Sequence, residues 1–232
     1  MTETKTKITK SKLLAVLIAI LIVSSGLTAL YFESLDKKVT GTHEVRVACL
    51  GDSITELTKY PDELQLRLGP SYKVGSFGVS GATILLNTDR PYLNQTAFQD
   101  AKNFLPNIVV IMLGTNDARL NIFMNSQSLE ADFKLLVEEV QAFPSNPKIW
   151  VAIPPPIFNN TLGLLSQNLV DGVIPCLQQV ANESGLSTIN IYAELANHFE
   201  YFPDGVHPND EGAKLIAEKI YEAINNTFPS AN

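Results

Sequence analysis

Short apolar runs alternate with amphipathic stretches from residue 45 almost to the end of the chain. The runs are nearly continuous in apolar and β-branched residues, which is typical of strands that are buried on both faces of a parallel sheet. They predict strands at 45–50, 73–79, 108–113, 149–153 and 188–192. The pattern therefore indicates five buried, parallel strands.

The stretches between these runs carry apolar residues at the spacing of helices that bury one face. Helices are predicted at 60–68, 96–104, 128–143, 165–184 and 210–224. The clearest apolar face consists of Leu129, Phe133, Leu136, Val137 and Val140. This alternation predicts an α/β fold, a doubly wound sheet with helices on both sides, in which ligands bind beyond the carboxyl ends of the strands.

A different pattern opens the chain. Residues 13–32 carry no charge and, as a helix, reach about 30 Å, the thickness of a hydrocarbon core, so they predict a transmembrane anchor. Four lysines in residues 1–12 precede the span, whereas Glu33 and Asp36 follow it, which predicts a cytoplasmic basic segment and an extracytoplasmic domain. A cleaved signal peptide, which would leave the domain secreted, is the alternative, but the span is long and no small-x-small site is obvious.

Residues 33–44 read as a linker, and residues 45–228 as the folded domain. The formal charge is −7, and no lysine or arginine run occurs beyond the first dozen residues, so nucleic acid is not an expected partner. Cys49 and Cys176 are expected to be core residues rather than a disulfide. Four asparagines match the glycosylation pattern, which matters only in a glycosylating compartment. They are Asn94, Asn159, Asn182 and Asn225.

Polar residues cluster at three points where this fold predicts a site. GDSIT at 51–55 follows the first predicted strand, GTND at 114–117 follows the third, and DGVHP at 204–208 precedes the last predicted helix. A serine hydroxyl becomes a good nucleophile only when a base takes its proton and a third group orients that base. Ser53, His207 and Asp204 offer such a set, because a turn can bring the Asp204 carboxylate to the imidazole Nδ1.

Each of these elements also has a structural explanation, Ser53 as a helix cap and the Asp204–His207 pair as loop structure. The order Ser, Asp, His fits an α/β-hydrolase too, but the Gly-x-Ser-x-Gly pentapeptide of that fold does not occur in the sequence. Ser80 is a rival nucleophile on the segment before Gly81. The joint placement of the three groups at one edge of the predicted sheet favours a catalytic site.

Two other patterns invite a functional reading. His198 and Glu200, with His207, suggest a metal site, but they lack any recognised zinc spacing, so no metal is predicted. The prolines at 154–156 follow the fourth predicted strand. They either line a substrate pocket or do no more than end the strand.

Four segments, GDSIT, FGVSGAT at 77–83, GTND and DGVHP, resemble the four conserved blocks of the SGNH/GDSL hydrolases, in order along the chain. The resemblance implies that Ser53 is the nucleophile and that Asp204 and His207 complete its triad. It also implies an oxyanion hole made of the Ser53 and Gly81 N–H groups and the Asn116 side-chain amide. The fold it implies is flavodoxin-like, a three-layer α/β/α arrangement around five parallel strands.

Some observations qualify the resemblance. Ser76 stands where the family often has Asn, and Leu57 where it often has Gly, which bears on the shape of the substrate. Gly81 alone also fits a turn with positive φ, and Asn116 with Asp117 also fits a helix cap.

The resemblance implies a serine esterase that needs no cofactor and acts on a small-molecule or glycan ester, with acetyl esters of carbohydrates preferred. A lysophospholipase- or thioesterase-type acyl hydrolase is the alternative. Two hypotheses lie outside catalysis: a surface-anchored binding module with an inactive site, and a flavodoxin-like phosphate binder that uses the GDSIT loop.

Overall fold

The computed structural model describes residues 28, 44–123 and 126–225. The predicted basic segment, transmembrane anchor and linker lie outside these residues, apart from Thr28 and Glu44. Within the described part of the chain, no helix is both long and apolar enough to cross a membrane. The unit that begins at Glu44 contains the sheet and all the residues discussed below.

Five strands form a single parallel sheet. They are β1 (Val45–Gly51), β2 (Tyr72–Gly78), β3 (Ile108–Met112), β4 (Lys148–Ile153) and β5 (Ser187–Asn190). Their order across the sheet is β2-β1-β3-β4-β5, and every neighbouring pair is parallel. This order is that of the flavodoxin-like folds. The prediction of five parallel strands is confirmed, but only β1, β3 and β4 are largely buried, whereas β2 and β5, at the edges of the sheet, stay partly exposed.

Helices connect and follow the strands. They are α1 (Ser53–Leu57), α2 (Tyr60–Leu68), α3 (Thr96–Asn103), α4 (Leu120–Phe123), α5 (Leu129–Gln141), α6 (Ser166–Asn168), α7 (Ile174–Glu183), α8 (Ile191–Leu195) and α9 (Asp210–Asn225). A π-helical turn at Leu169–Val173 separates α6 from α7 within the single helix predicted at 165–184. The turn lies just before Pro175, which has no N–H to donate to a regular helical hydrogen bond.

The fifth strand ends earlier than predicted. Asn190 accepts a hydrogen bond from the Ala193 N–H at 2.9 Å and caps α8, so Ile191 and Tyr192 are helical. The short helix α1 was also missed as a helix. Both are segments of five residues, too short to show a helical period in the sequence.

Alternate strand residues pack into two apolar layers, one on each face of the sheet. Ala48 and Leu50 belong to the layer covered by α3, α5 and α7, and the predicted apolar face of α5 is buried there. Val47 and Cys49 belong to the layer covered by α2, α8 and α9. Cys49 and Cys176 therefore pack on opposite faces, and both thiols are free. Both residues thus pack in the apolar layers, where the sequence predicted core residues.

The strand order fixes where a ligand can bind. From β1 the chain continues to β2 on one side, and from β3 it continues to β4 on the other side. A crevice opens beyond the carboxyl ends of the two strands where the winding direction reverses. The residues that follow β1 and β3 include Ser53 and Asn116.

Candidate active site

Four of the five predicted site residues line one cavity at the carboxyl ends of β1 and β3. Ser53, Gly81, Asn116 and His207 contribute to a cavity of about 180 Å³. The fifth, Asp204, is hydrogen-bonded to His207. The structure thus brings together residues that are up to 154 positions apart in the sequence.

Ser53 is held in place by the junction between β1 and α1. Asp52 caps the helix, since its Oδ1 accepts a hydrogen bond from the Ile54 N–H at 2.9 Å. Ser53 is the first residue of α1 and is 8% exposed. N–H groups in the first turn of a helix have no acceptor within the helix, and in the described part of the chain the Ser53 N–H has none elsewhere either.

Asp204 and His207 are oriented by a tight turn. Asp204 Oδ1 accepts hydrogen bonds from the backbone N–H groups of Val206, at 2.9 Å, and of His207, at 2.7 Å. Gly205 lies at φ +83° in this turn, and a Cβ there would be 2.2 Å from the Asn159 carbonyl oxygen, so no other residue fits without a shift of the backbone. Partial burial works to raise the pKa of Asp204, but the hydrogen bonds from His207 and Val206 outweigh it, so the pKa lies below its usual value.

The turn also aligns the imidazole with Ser53. His207 Nδ1–H donates to Asp204 Oδ2 at 2.6 Å, which leaves Nε2 to accept from the Ser53 hydroxyl at 2.8 Å. A histidine in this tautomer can take up the hydroxyl proton, and the carboxylate behind it stabilises the resulting imidazolium. The three side chains therefore form a continuous hydrogen-bonded chain that ends at an oxygen facing the cavity.

Two further residues that line the same cavity carry N–H donors. Gly81 lies at φ +78°, a conformation that other residues rarely adopt, and its N–H has no acceptor in the described part of the chain. The Asn116 amide donates one hydrogen bond to the Ala82 carbonyl at 3.0 Å, and its second N–H is available to a ligand. Together with Ser53, whose N–H is free in the described part of the chain, these residues supply neutral donors of the kind that can stabilise an oxyanion.

Asp117 holds the segment that follows Gly81. Its two carboxylate oxygens accept hydrogen bonds from the backbone N–H groups of Ile84 and Leu85, both at 3.0 Å. The side chain is fully buried, and burial raises its pKa to about 6. The sequence suggested a helix cap for Asp117, but no side-chain cap forms at Asn116–Ala118. No local pattern reveals this role, because its partners lie more than 30 residues earlier.

Asp52 is a second buried carboxyl at the site. Burial raises its pKa to about 6, although the hydrogen bond from the Ile54 N–H works in the opposite direction. Two carboxyls with raised pKa values therefore lie just behind the cavity. Neither position was predicted from the sequence.

The remaining sequence candidates have other partners. The Ser80 N–H donates to Glu56 Oε2 at 2.6 Å, and the imidazole nitrogen that could serve a nucleophile is bonded to Ser53 instead. His198 pairs with Glu200 at 3.0 Å rather than with His207. Among the described residues, no group of three or more His, Cys, Asp or Glu side chains is arranged to hold a metal ion.

The loop after β4 and the two departures from the family pattern also have defined places. The prolines at 154–156 are buried and lie outside the cavity, whose wall contains Leu162 and Leu164 from the same loop. Ser76 donates its hydroxyl to the Thr55 carbonyl at 2.9 Å. Leu57 is 66% exposed and forms part of the cavity wall beside Ser53. Leu57 therefore contributes directly to the shape of the site.

Comparison with known proteins gives relatives in sequence and in structure. An acetylxylan esterase of Xylanibacter ruminicola is 35% identical over 206 residues, which cover 78% of this chain and 43% of that protein. The chain spans less than half of the length of the curated relatives it matches.

Two solved structures have the same fold. The carbohydrate acetylesterase Est24 of Sinorhizobium meliloti superposes with a TM-score of 0.62 and 18% identity, over 80% of this chain and all of that one. An aryl esterase of M. smegmatis superposes with a TM-score of 0.65 and 17% identity, over 78% of this chain and 99% of that one. At these identities the likeness shows the fold alone.

Residues 49–215, most of the described chain, match the GDSL-like lipase/acylhydrolase family. The matched range contains the crevice between β1 and β3 and every residue of the hydrogen-bonded chain from Ser53 to Asp204. On this match and this fold, the chain belongs to the GDSL-like lipase/acylhydrolase family of ester hydrolases.

Proposed function

We propose that this protein is a serine esterase that hydrolyses short-chain esters, above all acetyl esters of carbohydrates. The observation that carries the proposal is the hydrogen-bonded chain Ser53–His207–Asp204 at the carboxyl edge of the sheet, with distances of 2.8 and 2.6 Å. The sequence relative named as an acetylxylan esterase supports the choice of an acetylated carbohydrate.

The proposed reaction is a two-step acyl transfer. His207 Nε2 takes the proton from Ser53 Oγ, which attacks the ester carbonyl, and the protonated imidazole then gives that proton to the leaving alcohol. His207 next takes a proton from water, whose oxygen attacks the acyl carbon, and returns that proton to Ser53 Oγ as the acyl–serine bond breaks and the acid leaves. Asp204 holds the imidazole in the required tautomer and stabilises its charged form throughout.

Charge develops on the carbonyl oxygen in both steps. In the proposal this oxygen accepts from the Ser53 and Gly81 N–H groups and from the Asn116 amide. Neutral donors that are already in position need not reorganise when the charge appears, and one such donor is typically worth about 100- to 1000-fold in rate. Asp52 and Asp117 are proposed as positioning residues, because they hold α1 and the segment after Gly81.

The preference for a short acyl group is supported by the cavity at Ser53. Its volume is about 180 Å³. Leu57, Leu162, Leu164 and Val206 give it an apolar wall, which suits a methyl group. A lysophospholipase or long-chain thioesterase would need a longer apolar channel beside the serine.

The test is hydrolysis of p-nitrophenyl acetate, butyrate and a long-chain ester by the wild type and by Ser53→Ala and His207→Ala. We expect acetate to be turned over fastest and both variants to lose nearly all activity, because each removes a group that handles the proton or the acyl group. If the wild type hydrolyses none of the esters faster than the two variants do, and a fluorophosphonate does not label Ser53, an inactive binding module is favoured instead.

We also propose that residues 13–32 anchor the domain on the outer face of a membrane. The support is the sequence alone: an uncharged span of suitable length and a basic N-terminal flank. The test is membrane fractionation and protease treatment of intact cells that produce the chain. Release of the whole activity into the medium would contradict the anchor and favour a cleaved signal peptide.

A further inference from the structure

A second, larger cavity opens beside the one that contains Ser53. Its volume is about 550 Å³, and it shares Ser80, Gly81 and Arg119 with the smaller cavity. Most of the other side chains that line it are polar, among them Thr83 and Asn87. An ester held at Ser53 has an acyl part and an alcohol part. With the acyl part in the small apolar cavity, the large polar cavity is left for the alcohol part.

The charges in this second cavity are unbalanced. Arg90 and Arg119 both line it, against one carboxylate, that of Asp89. Neither arginine takes part in an ion pair in the described part of the chain. This local excess of positive charge occurs in a protein whose formal net charge is −7.

The imbalance of charge costs more free energy at Arg119 than at Arg90, because Arg119 is partly removed from water. The residue is half-buried, and its Nε is buried with no hydrogen-bond partner among the residues that the structure describes. A cation withdrawn from water without a counter-ion costs free energy, which an anionic ligand can offset. A guanidinium is well matched to a carboxylate, since its planar donors can bind both oxygens.

We propose that the second cavity is the subsite for the alcohol part of the substrate and that it takes an acidic sugar, one whose ring carries a carboxylate. Arg119 contacts that carboxylate from its place at the junction of the two cavities. This inference rests on the proposed esterase function and narrows its substrate class from carbohydrates in general to uronic acids and their glycosides.

Arg119 is also the better residue to change. Its backbone is held independently of its side chain, because its N–H donates to the Asn116 carbonyl at 3.2 Å and it forms a bridge with Leu164. Arg90 donates from Nη1 to the Ser80 carbonyl at 2.6 Å, next to Gly81, so its replacement would disturb the donor segment as well.

The experiment compares kcat/KM on two matched substrates, a mono-O-acetylated methyl glucuronoside and the corresponding acetylated methyl glucoside. The first carries a carboxylate where the second carries a hydroxymethyl group. We expect the wild type to prefer the acid by about tenfold, the typical effect of one charge-assisted hydrogen bond. High salt should reduce the preference. Arg119→Gln should abolish it, mainly through KM, and Arg119→Lys should keep part of it.

The matched control is Arg67→Gln, which removes the same charge from α2, where Arg67 pairs with Glu218 at 3.4 Å on the other face of the sheet. We expect this variant to keep the preference of the wild type. Equal kcat/KM of the wild type on the two sugars, or an undiminished preference in Arg119→Gln, would overturn the subsite. Hydrolysis of p-nitrophenyl acetate that depends on Ser53 separates this failure from failure of the esterase function itself.

Discussion

Replacement of the buried carboxyl of Asp117 by an amide should change how the stability of the protein depends on pH. Burial raises the pKa of Asp117 from 3.8 to about 6 in the folded state. At 1.36 kcal/mol per pKa unit, this difference amounts to about 3 kcal/mol. The side chain is fully buried, so solvent does not screen the effect. Asp117→Asn removes the ionisable group and with it this dependence.

The direction of the change follows from proton binding. Between pH 4 and pH 6 the folded state holds the Asp117 proton more tightly than the unfolded state does, so the free energy of unfolding falls as the pH rises. The contribution is fully present below pH 4 and is lost once the pH passes about 6. The free energy of unfolding of Asp117→Asn, relative to that of the wild type, should therefore rise by about 3 kcal/mol between pH 4 and pH 7. The altered hydrogen bonds of the variant add a cost that does not depend on pH and so does not change this difference.

Urea unfolding at several pH values measures this difference. The only tryptophan in the sequence, Trp150, is buried in β4, so its fluorescence reports loss of the sheet. Asp100→Asn, which removes an exposed carboxylate on α3, is the matched control and should run parallel to the wild type. If the free energy of unfolding of Asp117→Asn also follows that of the wild type from pH 4 to pH 7, Asp117 does not have a raised pKa.

Three further changes test the site itself. Asn116→Ala should lower kcat on p-nitrophenyl acetate by about 100- to 1000-fold with little change in KM, since the amide acts on charge that appears only in the transition state. Gly81→Ala should cost about 1–2 kcal/mol of stability and also lower kcat, whereas Gly69→Ala, at φ +75° with open space around it, should cost stability alone. Leu57→Ala should raise the ratio of butyrate to acetate hydrolysis, because it removes an exposed wall of the cavity at Ser53.

Each of these has a contrary result. A loss in Asn116→Ala that appears in KM alone would mean that the amide binds the substrate rather than its transition state. Equal losses of kcat in Gly81→Ala and Gly69→Ala would trace the effect to stability. An unchanged ester ratio in Leu57→Ala would show that the acyl group does not contact Leu57.

The sequence by itself determined the elements of the fold and the types of residue at the site. Burial leaves a local record, because a strand covered on both faces reads as an apolar run and a covered helix as an apolar stripe. The five strands and the longer helices follow from this record, and the position of GDSIT, GTND and DGVHP after or before such elements follows with them. The sequence-based prediction was wrong at the end of β5 and in α1. The helices there have five residues each, too few to show a helical period in the sequence.

Only the tertiary structure decided which residues meet. The strand order places β1 beside β3, and with it Ser53 beside Asn116, although no residue near either one specifies that neighbour. No local pattern specifies the contact of Ser53 with His207, 154 positions later, either. The hydrogen bonds that Asp117 accepts from two distant backbone N–H groups are likewise set by the tertiary structure. A contact between distant segments is selected by the packing of the whole sheet and its layers, which no local pattern records. The position of Arg119 between the two cavities is a product of that packing too.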